Sequence, residues 1–162
     1  MIREITEPEV RTDFLALMSE VEAGSWFDMD NPRHIQWLER RISRSIGRGG
    51  KFYGTYCPDG GPLGIYCLLI EDHPARKGHA EVLDLGVVED HRRQGHGERL
   101  LQDAERRART AGVCCTYLST YAGDDAAIAF YRHCGFTPVA TLPGFNGPND
   151  KGQIFMQKEM GQ

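Results

Sequence analysis

Apolar residues recur along this chain at two spacings, and the change from one to the other orders most of it into strands and helices. "MIREIT" alternates apolar and polar residues, which predicts a short first strand. Thr6 and Glu9 then have capping-box spacing with Pro8 in the first turn, and Val10, Phe14, Leu17, Met18 and Val21 follow at helical spacing. "GSWFDMDNP" breaks that helix. Asn31-Pro32 opens a second one with Ile35, Leu38, Ile42 and Ile46 on one face, and "GRGG" closes it. "KFYGTYC", the turn "PDGG" and "PLGIYCLLI" read as a hairpin, followed by the polar loop "EDHPARKGH". Ala80 to Val88 is a further strand, largely apolar with two acids inside it. The next helix carries Leu100, Leu101, Ala104, Ala108 and Ala111 on one stripe and stops at Gly112. "VCCTYLST" is a strand. Asp124 and Asp125 cap a helix whose face is Ala127, Phe130, Tyr131 and Cys134, with Gly135 at its end. "FTPVATL" and "GQIFMQKEM" are the last strands, joined by "PGFNGPNDK". The order β-αα-βββ-α-β-α-ββ predicts a mixed α/β domain without repeats or linkers.

Composition narrows the class. The 162 residues suit one domain, 1–162, with a substantial core. A net charge of -4 argues against a general nucleic-acid binder, and no apolar run has the length of a membrane span. The expected partners therefore include no nucleic acid and no membrane. The charged N-terminal stretch "MIREITEPEV" has no signal-peptide character. The five cysteines, Cys57, Cys67, Cys114, Cys115 and Cys134, are odd in number and include no CxxC pair, which argues against a disulfide framework and a zinc site. No histidine pair has ligand spacing. A reduced, cytoplasmic, metal-free protein is the expectation.

The chemistry concentrates in "RRQGHGERLL", residues 92 to 101. Gly95 and Gly97 stand where a strand gives way to a helix. Helix N-termini present unpaired N–H groups and partial positive charge, so they attract anions. Glycine lets a phosphate approach the backbone closely, and Arg92 and Arg93 can add charge-assisted bonds. No Lys-Ser/Thr pair follows, which excludes the P-loop, and Leu100 stands where the dinucleotide fingerprint requires a third glycine.

The remaining pattern, R-x-x-G-x-G at Arg92, Gly95 and Gly97, resembles the acetyl-coenzyme A signature of the GNAT N-acetyltransferase superfamily. A second stretch, "DDAAIAFYRHCGFTPV", resembles that family's C-terminal motif A-x-x-F-Y-x-x-x-G-F at Ala127, Phe130, Tyr131, Gly135 and Phe136. The two motifs stand in the family's order with a helix and a strand between them, and the resemblance covers nearly the whole chain. It implies one GNAT domain over 1–162: an α/β fold with a mixed, mostly antiparallel central sheet of about six to seven strands flanked by about four helices.

The resemblance further implies acetyl transfer from acetyl-CoA, as cosubstrate, to a primary amine on a small molecule, amino acid or protein, by direct attack in a ternary complex. The loop Arg92, Arg93, Gln94, Gly95, His96 and Gly97 would hold the cofactor pyrophosphate. The backbone of Gly86, Val87 and Val88 would pair with the pantetheine arm as an added strand. The arm would lie between that strand and the one carrying Cys114 to Ser119. Tyr131 resembles the general acid, and a phenol stays protonated at neutral pH. Glu81, eleven residues before Arg92, stands where several family members carry a carboxylate or histidine base, acting through water; Asp84 and water alone stay open as alternatives, since some members have no dedicated base. Asp84 is the other acid on this strand; three residues apart in a regular strand means opposite faces, and a bulge, which the resemblance implies is common in this strand, would blur that rule. Asp124 stands where the family often has a cofactor-contacting Asn, and as an aspartate it can cap the helix. Trp26 and Phe27 are placed to line the acceptor site, as are Phe145, Asn146 and Asp150 in the last loop. A monomer or homodimer is expected. A non-enzymatic acyl-CoA sensor and a transferase for another acyl group, such as succinyl, stay open as alternatives.

Overall fold

The computed structural model describes residues 1–23, 28–70, 78–145 and 147–161. The elements run β1 (Arg3–Glu4), α1 (Glu7–Asp13), α2 (Leu15–Ala23), α3 (Pro32–Gly47), β2 (Lys51–Tyr56), β3 (Pro62–Ile70) and β4 (His79–Val87). A 3₁₀ turn (Glu89–His91) leads to α4 (His96–Thr110), β5 (Cys115–Tyr121), α5 (Asp125–His133), β6 (Thr137–Leu142) and β7 (Gln153–Glu159). The seven strands form an open sheet of order β1-β2-β3-β4-β5-β7-β6. The pairs β1–β2, β2–β3, β5–β7 and β6–β7 are antiparallel, and β4–β5 is parallel. This is the expected α/β architecture.

Local chemistry accounts for most of the element ends. Thr6 caps α1: its hydroxyl accepts from the Glu9 N–H while Glu9 Oε2 accepts from the Thr6 N–H at 2.7 Å. Hydrogen bonds from Arg3 and then from Thr6 push the Glu9 carboxyl down to about 2. Asn31 caps α3, accepting from the Arg33 N–H at 3.0 Å, with Pro32 in the first turn. The first helix differs from expectation, because it divides at Phe14 into α1 and α2. Two side chains bend it there. The Thr12 hydroxyl donates back to the Pro8 carbonyl at 3.1 Å, a bond that bends helices, and Tyr56 on β2 donates to Asp13 Oδ2 at 2.9 Å.

The chain forms two compact units. The first comprises Met1–Ile70 and Val82–Arg107. Its core cluster draws Val10, Phe14, Leu17, Met18, Leu38 and Ile42 from the helices and Phe52, Ile65 and Cys67 from the strands. Within this unit Tyr66 on β3 donates to Asp103 Oδ2 on α4 at 2.5 Å. Arg107 donates to the same oxygen from Nε at 2.7 Å, and Arg106 donates to Oδ1. The Arg107 guanidinium lies 4.0 Å from the Tyr53 ring centroid, and that ring stacks on Tyr66 at 5.1 Å. The second unit comprises Glu71–Glu81 and Ala108–Gln162. Its buried residues include Val113, Cys115, Leu118, Phe136, Met156 and Met160. The edge strand β6 is exposed along its whole length. Among the described residues no helix is long and apolar enough to cross a membrane.

Burial opposes the charge on Asp103, but the bonds from Tyr66 and Arg107 outweigh it and hold its carboxyl below the ordinary aspartate value. Asp103→Asn is expected to cost about 2–3 kcal/mol, because the bonds it weakens involve charged groups. That corresponds to a fall in Tm of roughly 5–10 °C at neutral pH. A depressed pKa contributes stability above the unfolded value and loses it as pH falls through the folded value. The gap between wild type and variant, followed by thermal denaturation, should therefore narrow below about pH 4.

Candidate active site

The strand–turn–helix expected around Arg92 is present in the first unit. β4 ends at Val87, the 3₁₀ turn follows, and the helix begins at His96, immediately after Gly95. Two residues between them take left-handed backbone: Arg93 at φ 59° and Gly95 at φ 79°. A turn of this kind brings successive N–H groups together into an anion-binding concavity. The first recurrent helical bond runs from the Arg99 N–H to the Gly95 carbonyl at 3.1 Å, so the N–H groups of His96, Gly97 and Glu98 lie in the donor-rich first turn. Arg92 donates from Nε to the Val87 carbonyl at 2.9 Å, and Gln94 donates from Nε2 to the Asp90 carbonyl at 3.1 Å. The His91 and His96 rings meet edge-on at 6.1 Å. A Cβ built on Gly95 meets nothing within 4 Å, so the protein itself leaves the space over this backbone open.

On β4, Gly86 is buried and Val87 half-buried. The Val88 N–H donates to the Leu63 carbonyl on β3 at 3.1 Å, and is therefore engaged within the sheet. Asp84 departs from regular strand geometry, with φ 54°. Its side chain is fully buried and ion-paired with Arg41 of α3. Beside the turn lies a cavity of about 420 Å³ bordered by Cys57, Asp59, Val88, Glu89, Asp90 and His91. Three carboxylates in its wall make it unsuited to a phosphate.

The second unit carries the other candidates. Glu81 pairs with Tyr117 of β5 in the parallel ladder, and the Tyr117 hydroxyl donates to Glu81 Oε2 at 3.3 Å. Asp124 is the N-cap of α5, its Oδ1 accepting from the Ala127 N–H at 2.9 Å. Tyr131 is half-buried on α5, with its ring 5.2 Å from that of Phe130 and 6.2 Å from that of Phe136. Phe145 is exposed, and Asp150 Oδ2 accepts from the Gly152 N–H at 2.9 Å. Trp26, Phe27 and Asn146 lie outside the described residues. Among the described residues, no three His, Cys, Asp or Glu side chains gather as a metal site.

Residues 12–136 match the model of the acetyltransferase (GNAT) family. The chain belongs to this family. Solved structures agree on the fold. A Bacillus subtilis acetyltransferase in complex with CoA is similar at TM-score 0.72 and 19% identity, over 98% of this chain and 97% of that one. An IAA acetyltransferase from Bacillus cereus has TM-score 0.75 and 22% identity, with 99% of each chain covered. An aminoglycoside 6'-N-acetyltransferase complexed with coenzyme A has TM-score 0.74 and 16% identity, covering 100% of this chain and 98% of that one. A search among curated proteins returns no match.

Two partners of the GNAT candidates carry no sequence signal. Tyr117 sits in a strand like any other half-buried residue, and only the parallel register brings it to Glu81. Arg41 flanks the apolar face of α3, and its place opposite Asp84, 43 positions later, is a product of the tertiary fold. Gly95 is the residue with the clearest local requirement. Gly95→Ala should cost about 1–2 kcal/mol from left-handed backbone alone, since its Cβ meets no atom. Thermal denaturation should show a Tm lowered by roughly 3–6 °C with the far-ultraviolet circular dichroism unchanged.

Proposed function

We propose that this GNAT chain is an acetyl-CoA-dependent N-acetyltransferase that acetylates a primary amine by direct attack in a ternary complex. The acceptor class spans small molecules, amino acids and protein amines. The observation that carries the reading is the turn ahead of α4, with left-handed Arg93 and Gly95 and open space at the Gly95 Cβ position. Backbone of this kind is suited to receive a phosphate or pyrophosphate. Two of the similar structures contain coenzyme A, which adds support.

In this reading the N–H groups of Gly95, His96 and Gly97 face the pyrophosphate, while Arg92, Arg93 and Gln94 shape the turn and supply charge. Gly86, Val87 and Val88 face the pantetheine arm with backbone groups other than the Val88 N–H, which bonds Leu63, and the Val87 carbonyl, which accepts from Arg92. The Arg92 bond ties that strand end to the turn. Asp124 contributes through the cap of α5. Acetyl-CoA supplies the acetyl group on a thioester sulfur. Glu81 receives the proton of the acceptor ammonium through water, and the bond from Tyr117 holds its carboxylate in one orientation. Tyr131 donates its hydroxyl proton to the departing sulfur.

Thiol release across a panel of amines tests the reaction, and calorimetry with acetyl-CoA tests the turn. Wild type should bind with a micromolar-range Kd, and well-folded Gly95→Val and Gly97→Val should lose that binding. Unchanged affinity in both would refute the cradle. Binding without turnover of any amine would point to an acyl-CoA sensor instead.

Tyr131→Phe separates chemistry from packing, because it keeps the ring against Phe130 and Phe136. Its single-turnover rate should drop about 10²–10⁴-fold, the usual contribution of general acid–base catalysis. Cofactor affinity and Tm should stay near wild type. Near-wild-type turnover would reassign Tyr131 to packing.

A further inference from the structure

Asp84 departs from ordinary chemistry in two independent ways. Its backbone lies in the left-handed region at φ 54°, in the middle of a strand and without being glycine. Its side chain is fully buried, yet only one of its oxygens is engaged. Arg41 donates to Oδ1 from both Nε and Nη2, each at 2.9 Å. Oδ2 is buried with no hydrogen-bond partner among the described residues. A guanidinium side-on to a carboxylate ordinarily spreads two N–H donors over two oxygens. Left-handed backbone and an unsatisfied buried oxygen each oppose folding, and such departures persist where the surrounding structure enforces them and function uses them.

Their effect on β4 is visible in what successive residues touch. Leu83 packs against the core cluster that includes Leu38 and Ile42 of α3. Asp84, the next residue, is bound to Arg41 of the same helix. In a regular strand, neighbouring side chains point to opposite faces, so the pleat is broken at Asp84. Beyond the break, β4 runs close against β3: a Cβ on Gly64 would stand 3.0 Å from the Gly86 carbonyl oxygen and 2.8 Å from Leu100 Cδ1. The strand end is then fastened by the Val88 bond to Leu63 and the Arg92 bond to Val87.

We propose that the Arg41–Asp84 clasp is the positioning device for the cofactor-bearing end of β4. Arg41 holds Asp84 in its left-handed conformation, and that conformation sets the direction in which Gly86 and Val87 present their backbone. Neither residue touches the cofactor; both act through the strand. The inference rests on the reading of Gly86 to Val88 as the pantetheine-binding strand.

The test exploits an asymmetry in the pair. Asp84's side chain is 0% exposed and Arg41's is 32%. Removing the carboxylate leaves an arginine that can turn to water, whereas removing the arginine leaves a buried charge, which is the more damaging loss. Asp84→Gly adopts left-handed backbone freely but has no clasp. Asp84→Asn tolerates the same backbone and keeps an acceptor oxygen for Arg41. In Asp84→Gly the KM for acetyl-CoA should rise about tenfold or more, as expected when the strand no longer presents its backbone to the bound arm, with Tm close to wild type. Asp84→Asn should recover most of the loss. A residue serving stability alone would move Tm and leave KM in place, so a wild-type KM in Asp84→Gly overturns the inference, as does a KM change that only follows Tm. If Asp84→Gly does not fold, Arg41→Lys decides, since it keeps the charge and loses the two-donor grip. A raised KM at unchanged Tm supports the clasp, and an unchanged KM overturns it. Failure of wild type itself to bind acetyl-CoA would overturn the pantetheine reading, and the clasp's role with it.

Discussion

One buried carboxylate governs where α4 can lie. The helix buries Leu100, Leu101 and Ala104, but apolar contact is non-directional and tolerates sliding and rotation. Asp103 removes that freedom. It accepts from Tyr66 on β3 and from Arg106 and Arg107 one turn further along α4. Arg107 in turn covers the ring of Tyr53 on β2, and Tyr53 stacks on Tyr66. Two strands and one helix are thereby fixed to one another by directional bonds. The helix begins seven residues earlier at His96, about two turns away, so the anchor at Asp103 also sets where the helix N-terminus lies. An anion-facing N-terminus is useful only when its N–H groups are aimed, and a hydrogen-bonded anchor inside the first four turns aims them.

What could be foreseen from sequence follows the range of the interaction responsible. The cap at Thr6, the start at Asn31-Pro32, the cap at Asp124 and the glycine stops all depend on residues within a few positions, and they appear where the local pattern puts them. The division of the first helix does not, because Asp13 meets Tyr56 43 positions away. The Tyr66–Asp103 bond spans 37 positions and gives no local sign. Strand identity was legible from alternation in β1 and from apolar runs and turns in β2 to β4, while pairings beyond the β2–β3 hairpin required the topology.

The candidate site divides in the same way. Gly95 is left-handed, as a glycine ahead of a helix suggests, but Arg93 is left-handed too, and nothing in an arginine announces it. Glu81 and Asp84 look alike as two acids on an apolar strand. The structure gives them different lives: one is half-buried beside a tyrosine hydroxyl, the other sealed against a guanidinium. The parity argument holds for a regular strand only, and Asp84, at φ 54°, is where this strand departs from regular geometry. Trp26 and Phe27 remain a reading from the sequence, since they lie outside the described residues.

Three left-handed residues, Asp84 within β4 and Arg93 and Gly95 between β4 and α4, can be compared by what replaces them at least cost. Glycine would relieve the backbone at Asp84 and at Arg93, yet neither position has it. At Asp84 the reason is visible, because the side chain is bonded to Arg41. At Arg93 the side chain is exposed, so packing is not the reason, and what the residue adds is positive charge beside a helix N-terminus. Gly95 is the opposite case. Its surroundings would admit a Cβ without collision, so crowding within the protein does not demand glycine. Backbone conformation does, and in the proposed reading so does the close approach of a pyrophosphate. The short stretch from Asp84 to Gly95 thus accepts strain where a side chain is used and omits the side chain where a ligand would need the room.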